Sequence, residues 1–220
     1  MIRLICLDMD GVLTGTRNFW MELHEAYGTL EEGKLLTKQY LRTDYPRLIQ
    51  EVVGRLWKGK PITPFLDLVA SVPYAPGIVE FFEYLDTLKT ENGERIPRVI
   101  ITSGPFELAD RIAKEFDVDF IFANQLVFHD HKVAGEFRWP VGDGTAAKAQ
   151  IIEILCKDLD ILPQHALYIG DSSTDIDAFK IVGTSIAFND APQELRDIAT
   201  HAVQSADLRK IIPVIKTLSP

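Results

Sequence analysis

Short apolar runs of strand length alternate with amphipathic helical patterns along most of this chain, and this alternation is the strongest constraint on its fold. The predicted strands are IRLICLD (2–8), RVIITS (98–103), DFIFA (119–123), HALYIG (165–170), TSIAF (184–188) and a weaker HAVQ (201–204). Most of these runs carry few polar residues, which is typical of strands buried on both faces. The sequence therefore predicts an α/β fold, with a parallel sheet between two layers of helices.

Residues 16–75 interrupt this alternation. They contain no convincing strand, but patterns such as FWMELHEAYGTL and YPRLIQEVVGRLW are amphipathic at helical spacing. We predict a helical cap domain over residues 16–75, inserted after the first strand, and a core formed by residues 1–15 and 76–220. Pro76 and Gly77 stand where the chain would return to the core, and they are expected to form a rigid hinge.

A second departure follows the third predicted strand. Residues 124–141, NQLVFHDHKVAGEFRWPV, alternate apolar and polar side chains around a polar turn. This pattern predicts a short antiparallel hairpin beside the main sheet.

The charge balance and the cysteines exclude several classes of function. The 220 residues carry 23 basic and 32 acidic side chains, a formal net charge of −9, without a basic run, so neither nucleic acid nor a membrane surface is an expected partner. Cys6 and Cys156 fit neither a disulfide framework nor a zinc-ligand spacing. The N-terminus is apolar for too few residues to form a secretory signal or a membrane span. We expect a cytoplasmic protein, either a monomer or a homodimer.

Two pairs of aspartates follow predicted strands. Asp8 and Asp10 stand one residue apart after the first strand, and Asp171 and Asp175 follow HALYIG. A turn with a local cap would account for the first pair, and Asp171 alone could be the N-cap of the next helix. If that helix begins at Asp171, Asp175 lies on the same helix face.

Both pairs are expected at one edge of the sheet. In open α/β sheets, ligands bind where the carboxyl ends of the strands meet. Asp8, Asp10 and Asp171 should therefore lie close together, and like charges at such a distance need a cation or a shared proton. Because Mg²⁺ prefers oxygen ligands, the sequence predicts a magnesium site at this edge.

Ser103 and Lys148 supply two further polar groups. Ser103 ends the second core strand, and Lys148 stands near the start of a helical pattern. Each has an ordinary explanation, Ser103 as part of a turn and Lys148 as a solvated side chain. Together they offer a hydroxyl donor and a positive charge opposite the acids, which suits a phosphoryl group.

Taken in order, DMDGVLT, IITSGP, the lysine of GTAAKAQ and GDSSTDID resemble the four motifs of the haloacid dehalogenase (HAD) superfamily of phosphatases. The helical insert, the hairpin before the lysine and SIAFNDAP are most similar to the phosphoserine phosphatase-like branch. The resemblance covers nearly the whole chain and is weakest in residues 16–75. It implies a HAD-type Rossmann-like core with a helical cap, and a Mg²⁺-dependent phosphomonoesterase acting on a small phosphorylated metabolite.

The resemblance also implies a role for each motif residue. Asp8 would be the nucleophile that forms an aspartyl phosphate, and Asp10 would protonate the leaving alcohol and then activate water. The Asp8 carboxylate, the Asp10 backbone carbonyl and Asp171 would hold Mg²⁺, and Asp175 would orient these ligands. Two further residues would bind the phosphoryl oxygens: Ser103 and Lys148.

The sequence departs from the family pattern at one position. Phosphoserine phosphatases of this type carry a glutamate nine positions beyond the nucleophile, where it meets the amine of the substrate, and this chain has Arg17 there. Arg17 would repel an ammonium and favour a carboxylate or a second phosphate, unless it is simply solvated. Glu22 or Glu25 could replace the missing acid.

The aromatic residues of the insert allow two interpretations, since they could form its own small core or line a substrate pocket under a closing lid. They are Phe19, Trp20, Tyr27, Tyr45 and Trp57. His24 is compatible with a position at the surface.

Three alternatives to a phosphatase follow from the same motifs. A phosphotransferase would pass the phosphoryl group from the aspartate to an alcohol instead of water, and nothing in the motifs separates the two. A signalling module would keep the phospho-aspartate as its output, but Asp10 and the large insert argue against it. A noncatalytic binding protein is disfavoured because every acid and cation that the chemistry needs is present.

Overall fold

The computed structural model describes residues 2–16 and 18–218, and within them seven strands form one sheet. These strands are β1 (Leu4–Leu7), β2 (Arg98–Pro105), β3 (Phe120–His129), β4 (Lys132–Arg138), β5 (Ala166–Gly170), β6 (Thr184–Phe188) and β7 (His201–Val203). Their order is β4-β3-β2-β1-β5-β6-β7, and every pairing is parallel except that of β3 with β4. The predicted α/β class is confirmed, and β1 lies at the centre of the sheet.

The segment between β1 and the next core helix is helical. It contains α1 (Phe19–Ala26), α2 (Leu30–Tyr40), α3 (Tyr45–Ile49), a π-helix (Gln50–Trp57) and α4 (Thr63–Ser71). Asn18 caps α1 by accepting a hydrogen bond from the Met21 amide, and Asp44 caps α3 in the same way through Arg47. We refer to residues 18–74 as the insert. Its status as a separate domain remains a prediction.

Helices cover both faces of the sheet. They are α5 (Ile78–Thr87), α6 (Phe106–Phe116), α7 (Thr145–Asp158), α8 (Ile176–Ile181), α9 (Gln193–Ile198) and α10 (Ile212–Leu218). The central strand shows why two layers are needed. Ile5 and Leu7 pack into one buried cluster, whereas Leu4 and Cys6 pack into the other, on the opposite face. Among the described residues, none of the helices combines the length and apolar character that a membrane crossing requires.

A π-helix continues α3 without a break. Its wider turn carries Val52, Val53 and Trp57 into buried positions, and β4 packs against it. Helical segments of this type are uncommon and often lie at functional sites.

Backbone hydrogen bonds attach the insert to the hairpin. The Gly59 amide donates to the Val133 carbonyl, the Val133 amide to the Lys60 carbonyl, and the Ile62 amide to the His131 carbonyl, each at 2.9 Å. The predicted hairpin is present, but it does not lie beside the sheet. Its first strand is the continuation of β3, so the hairpin forms the edge of the sheet itself.

Candidate active site

Asp8 lies at the end of the central strand, below the insert. Its amide still pairs with the Ile169 carbonyl of β5, at 2.9 Å, and its side chain is buried. One carboxylate oxygen, Oδ1, accepts a hydrogen bond of 2.7 Å from the Met9 amide, and Oδ2 accepts one of 2.7 Å from Lys148 Nζ. Both oxygens therefore have a fixed position.

Lys148 joins Asp8 to Asp175. Its Nζ donates to Asp8 Oδ2 and to Asp175 Oδ1, each at 2.7 Å, and all three side chains are at most 7% exposed. Burial alone would lower the pKa of Lys148, but Asp175 and Asp8 outweigh it and raise that pKa, so the lysine is charged. The Tyr168 hydroxyl also donates to Asp175 Oδ1, at 2.8 Å.

The loop after β5 holds the second pair of acids. Asp175 Oδ2 accepts from the amides of Asp171 and Ser172, at 3.1 and 2.9 Å, and the Ser172 hydroxyl completes a capping box with Asp175. Asp171 and Asp175 would share a helix face only if the helix began at Asp171, and it does not. The residues that follow, Ser173–Asp175, form a short 3₁₀ turn, α8 begins only at Ile176, and Ser172 is the cap.

Asp171 packs closely against the loop that follows β1. Gly11 has a φ of +78°, and a Cβ at that position would lie 1.9 Å from Asp171 Oδ2. Glycine is required there for both reasons, the backbone conformation and the space. The Asn189 amide group, on the loop after β6, donates to the Gly11 carbonyl at 3.3 Å. The loops after β1, β5 and β6 therefore meet around this carboxylate.

Asp10 is half-buried on the same loop, and one of its oxygens has no partner among the described residues. Its Oδ2 accepts a hydrogen bond of 3.0 Å from the Phe19 amide at the start of α1, whereas Oδ1 is buried without a partner among the described residues. Burial raises the pKa of Asp10 to about 7, and that of Asp8 to about 6, where Lys148 limits the rise. Of the two, Asp10 therefore holds its proton to the higher pH.

The acid cluster fits a divalent cation. Oxygens of Asp8, Asp171 and Asp175 all lie within 4.8 Å of one another. Within the described part of the chain, no group donates a hydrogen bond to the Asp171 carboxylate, and burial together with Asp8 raises its pKa to about 8. Lys148 is the only cation hydrogen-bonded to these acids in residues 2–16 and 18–218, so within that part of the chain the three carboxylates outnumber the cations. Carboxylates in this arrangement are suitable ligands for Mg²⁺.

Ser103 lines the same cavity as Asp8 and Asp171 and lies near the end of β2. Its carbonyl accepts hydrogen bonds from Trp20 Nε1 at 2.8 Å and from Asn124 Nδ2 at 3.0 Å. Next to it, Thr102 Oγ1 accepts from the Gly104 amide at 2.9 Å. A Cβ on Gly104 would lie 2.5 Å from the end of the Met9 side chain, so this turn packs closely on the Asp8 loop.

A cavity of about 330 Å³ lies between these strand ends and the insert. Asp8, Asp10, Asp171 and Ser103 line its floor, so the structure brings together most of the predicted site residues. Arg42, in the turn after α2, spans from the insert to the core. It donates to the hydroxyls of Thr145 and Ser173 and lies 3.6 Å from Asp143.

Comparison with known proteins decides the classification. A family model described as a haloacid dehalogenase-like hydrolase matches residues 2–183. The chain belongs to this family. The predicted HAD superfamily membership is thereby confirmed, and with it the expectation of a hydrolytic enzyme.

Individual relatives of this HAD-like hydrolase are phosphoserine phosphatases. The protein from Methanocaldococcus jannaschii is 30% identical over 217 residues, which cover 97% of this chain and 98% of that protein. The protein from Archaeoglobus fulgidus is 27% identical over 217 residues, but the chain spans only 60% of its length.

Two solved structures of phosphoserine phosphatase, a phospho-aspartyl intermediate analogue and a substrate-bound complex, match with TM-scores of 0.80 and 0.81. They are 26% and 25% identical, and each match covers 97% of this chain and 98% of the other. The predicted branch of the superfamily is confirmed.

The residues of the insert that the sequence offered for substrate recognition are not all found at the cavity. Arg17 lies outside the described residues. Glu22 accepts a hydrogen bond from the Thr16 hydroxyl, and neither Glu22 nor Glu25 lines the cavity. The expectation of a surface position for His24 is wrong, because its ring is buried against Trp57 at a centroid distance of 4.6 Å.

Both interpretations of the aromatic residues hold in part. Three of them line the cavity, namely Trp20, Tyr45 and Trp57. Phe19 and Tyr27 are instead buried in the packing of the insert.

Sequence reasoning missed three residues that shape the site: Tyr168, Asn124 and Arg42. Tyr168 is the one hydroxyl in an otherwise apolar strand, which was an available signal. Asn124 donates to the carbonyls of Ser103 and Gly142, and thereby ties the end of β2 to the loop before α7. Nothing in the local sequence around Arg42 indicates that it reaches the core.

Proposed function

We propose that this HAD-like hydrolase is a Mg²⁺-dependent phosphomonoesterase that acts on a small phosphorylated metabolite through an aspartyl phosphate on Asp8. The observation that carries the proposal is the environment of Asp8. Its two oxygens are held by the Met9 amide and by Lys148 at the floor of the cavity, and Asp10 lies beside it with one oxygen that no described residue pairs. The predicted cytoplasmic location is part of this proposal.

In the first step, the Asp8 carboxylate attacks the phosphorus of the ester. The bond from phosphorus to the ester oxygen breaks, and that oxygen takes the proton of Asp10, so the alcohol leaves neutral. The pKa of about 7 suits Asp10 to this role, because a large fraction of its side chains carries a proton near neutral pH. The lower pKa of Asp8, about 6, leaves the nucleophile mainly charged.

In the second step, a water molecule gives a proton to Asp10 and attacks the same phosphorus. The bond to Asp8 breaks, phosphate leaves, and both aspartates return to their starting states. The proton that Asp10 releases in the first step is thus recovered in the second, and no other group is needed to balance the reaction.

The remaining residues of the cluster hold the phosphoryl group. Lys148 has three N–H donors, of which two bind Asp8 and Asp175, and the third can bind a phosphoryl oxygen. Ser103, near the end of β2, supplies a hydroxyl. The Asp8 carboxylate, the Asp10 carbonyl and Asp171 would hold Mg²⁺, with Asp175 fixing the loop that carries Asp171. When bound, Mg²⁺ offsets negative charge on the phosphoryl oxygens.

The experiment is phosphate release by the purified protein from p-nitrophenyl phosphate, phosphoserine and sugar phosphates, with Mg²⁺ or with EDTA. We expect turnover that needs Mg²⁺ and that falls by at least ~10³-fold in Asp8→Asn, because the nucleophile is lost. Asp177→Asn is the matched control, since Asp177 pairs with Lys180 on the surface of α8. It should keep full activity.

Other outcomes would point to the rival functions. A folded, metal-binding protein that releases no phosphate from any ester would overturn the proposal. Transfer to an added alcohol at the expense of free phosphate would identify a phosphotransferase. A long-lived phospho-protein after treatment with acetyl phosphate would indicate a signalling module.

A further inference from the structure

One wall of the cavity differs in chemical character from its floor. This wall belongs to the insert and to β4, and it is aromatic and aliphatic. Its main members are Trp20, Leu48, Ile49, Val52, Trp57 and Phe137. The rings of Trp20 and Phe137 meet edge to face at 5.2 Å, which gives this surface a fixed shape.

The two indoles of this wall offer no free hydrogen-bond donor. Trp20 Nε1 donates to the Ser103 carbonyl at 2.8 Å, and Trp57 Nε1 donates to the Thr29 hydroxyl at 3.2 Å. His24, which also lines the cavity, shares the same hydroxyl through Nδ1 at 2.8 Å. Burial lowers the pKa of His24 to about 4, so its ring is neutral. The two indoles therefore present apolar surface to a substrate, and His24 adds no charge to it.

Within the part of the chain that the structure describes, the wall also lacks a free charge. Among the described residues that line the cavity, the charged groups beyond the acids of the floor are Arg42 and Asp143. These two lie 3.6 Å apart, and Arg42 is further held by the Thr145 and Ser173 hydroxyls, so they balance each other at the rim. The polar side chains nearest the wall, such as the hydroxyls of Thr37 and Tyr45, are neutral.

From this wall we propose that the substrate is a phosphomonoester whose alcohol part is uncharged and apolar, aromatic or alkyl, rather than an amino acid. The inference rests on the proposed function and specifies its substrate class. An ammonium or a carboxylate placed against Trp20, Val52 and Trp57 would lose its water without gaining a partner, which is costly. An apolar group gains affinity from the same contact. Similarity to phosphoserine phosphatases would then extend to the chemistry but not to the substrate.

The test compares esters that differ only in the part facing this wall. Propyl phosphate and phosphoserine have the same number of carbons in the leaving alcohol, but only phosphoserine carries an amine and a carboxylate. We expect kcat/KM for propyl phosphate to exceed that for phosphoserine at least tenfold, although propanol is the poorer leaving group. Along ethyl, propyl and butyl phosphate, kcat/KM should rise about threefold to fourfold per methylene, and benzyl phosphate should exceed all three.

Variants of Val52 test whether the wall causes the preference. Val52→Arg places a cation there, so the ratio of kcat/KM for benzyl phosphate to that for phosphoserine should fall at least tenfold. Val52→Thr keeps the shape and replaces one methyl group by a hydroxyl, and should lower the ratio about threefold. Leu35→Arg is the control, because Leu35 is 69% exposed on α2 and does not line the cavity.

The outcomes separate the two proposals. If phosphoserine is the better substrate, or if neither Val52 variant changes the ratio while both remain folded by circular dichroism, the inference is wrong and the phosphatase function stands. If none of the esters releases phosphate with Mg²⁺ present, the phosphatase function itself fails, and the inference fails with it.

Discussion

The two sides of the cavity are held in place by different forces. On the floor, Asp8 is held by directional contacts from Lys148 and the Met9 amide, and Lys148 also binds Asp175 below it. On the wall, residues such as Val52 and Trp57 are held by close packing of apolar surface. Loss of Lys148 therefore leaves unpaired buried charges, whereas a substitution on the wall changes the fit by degrees.

Because of this difference, the groups proposed to react with the substrate and the groups proposed to select it belong to different parts of the chain. The floor is built from the ends of β1, β2 and β5 and from the start of α7, all of which belong to the sheet and its helices. The wall is built mainly from the insert. A change of substrate can therefore arise through the insert without disturbing the reacting groups, and the following predictions test how complete this separation is.

The largest effect is expected from Lys148→Met. The variant leaves Asp8 and Asp175 buried without their cation, so phosphate release should fall at least ~10³-fold and the free energy of unfolding by about 3–5 kcal/mol. Activity assays and urea unfolding measure the two. Lys180→Met is the control, because Lys180 pairs with Asp177 on the surface and should cost under about 0.5 kcal/mol. Equal stability of the two variants would show that the buried ion pairs do not hold the floor together.

The next effect concerns metal and pH. In the folded metal-free protein, the pKa values of Asp8, Asp10 and Asp171 are raised to about 6, 7 and 8. Between the ordinary pKa of about 4 and these values, the folded state binds more protons than the unfolded state, so stability falls as pH rises through this window. Mg²⁺ competes with those protons. The rise in Tm on adding Mg²⁺ should therefore be larger at pH 8 than at pH 6.

Differential scanning fluorimetry with Mg²⁺ or EDTA at pH 6, 7 and 8 checks this prediction. Asp171→Asn removes a carboxylate that no described donor satisfies, and it should abolish most of the Mg²⁺-dependent rise. A rise that is equal or larger at pH 6 would argue against metal binding by these acids.

Protonation of His24, on the wall, should change the stability of the protein with pH in the opposite direction. Burial lowers the pKa of His24 to about 4, whereas the unfolded chain has the ordinary value of about 6.5. Between these values the unfolded state binds more protons, so the stability present above pH 6.5 is lost as pH falls towards 4. His24→Gln should therefore show a smaller loss of Tm than wild type between pH 6.5 and 4.5. His129→Gln, at an exposed site, should match wild type, and a His24→Gln curve parallel to both would contradict the prediction.

The smallest effect on stability is expected from substitution of Arg42, which connects the insert to the residues of the core. Arg42 is about half exposed, so Arg42→Ala should change the free energy of unfolding by under about 1 kcal/mol. Because the side chain ties the insert to Thr145 and Ser173, KM should rise a few-fold with little change in kcat. Arg47→Ala is the control, since Arg47 pairs with Glu51 inside the insert. If KM changes equally in both variants, the contacts of Arg42 with the core do not position the insert.

The sequence predicted the floor better than the wall, for a physical reason. Strand ends are set by short local patterns, and a parallel sheet brings those ends together, so Asp8, Ser103 and Asp171 could be expected at one edge. The loop after β5 was less predictable. A serine hydroxyl and an aspartate completed a capping box there, and this moved the start of the helix to Ile176.

The wall depends on packing between segments, which local patterns do not encode. Phe19 and Trp20 are neighbours on α1, but Phe19 is buried in the packing of the insert while Trp20 lines the cavity. The π-helix was also not predictable. Its sequence fits an ordinary helical period, and the wider turn coincides with its packing against β4.

The ion pair between Asp8 and Lys148 also bears on how the chain folds. The two residues are 140 positions apart in sequence, and β1 lies between β2 and β5, one of its neighbours being formed only from residues 166–170. During synthesis, β1 leaves the ribosome 140 residues before Lys148, so Asp8 lacks its ion-pair partner until that later part of the chain has emerged. Contacts of such long range are typical of slow folding. A fragment that ends before Lys148 should therefore be an aggregation-prone intermediate rather than a smaller enzyme.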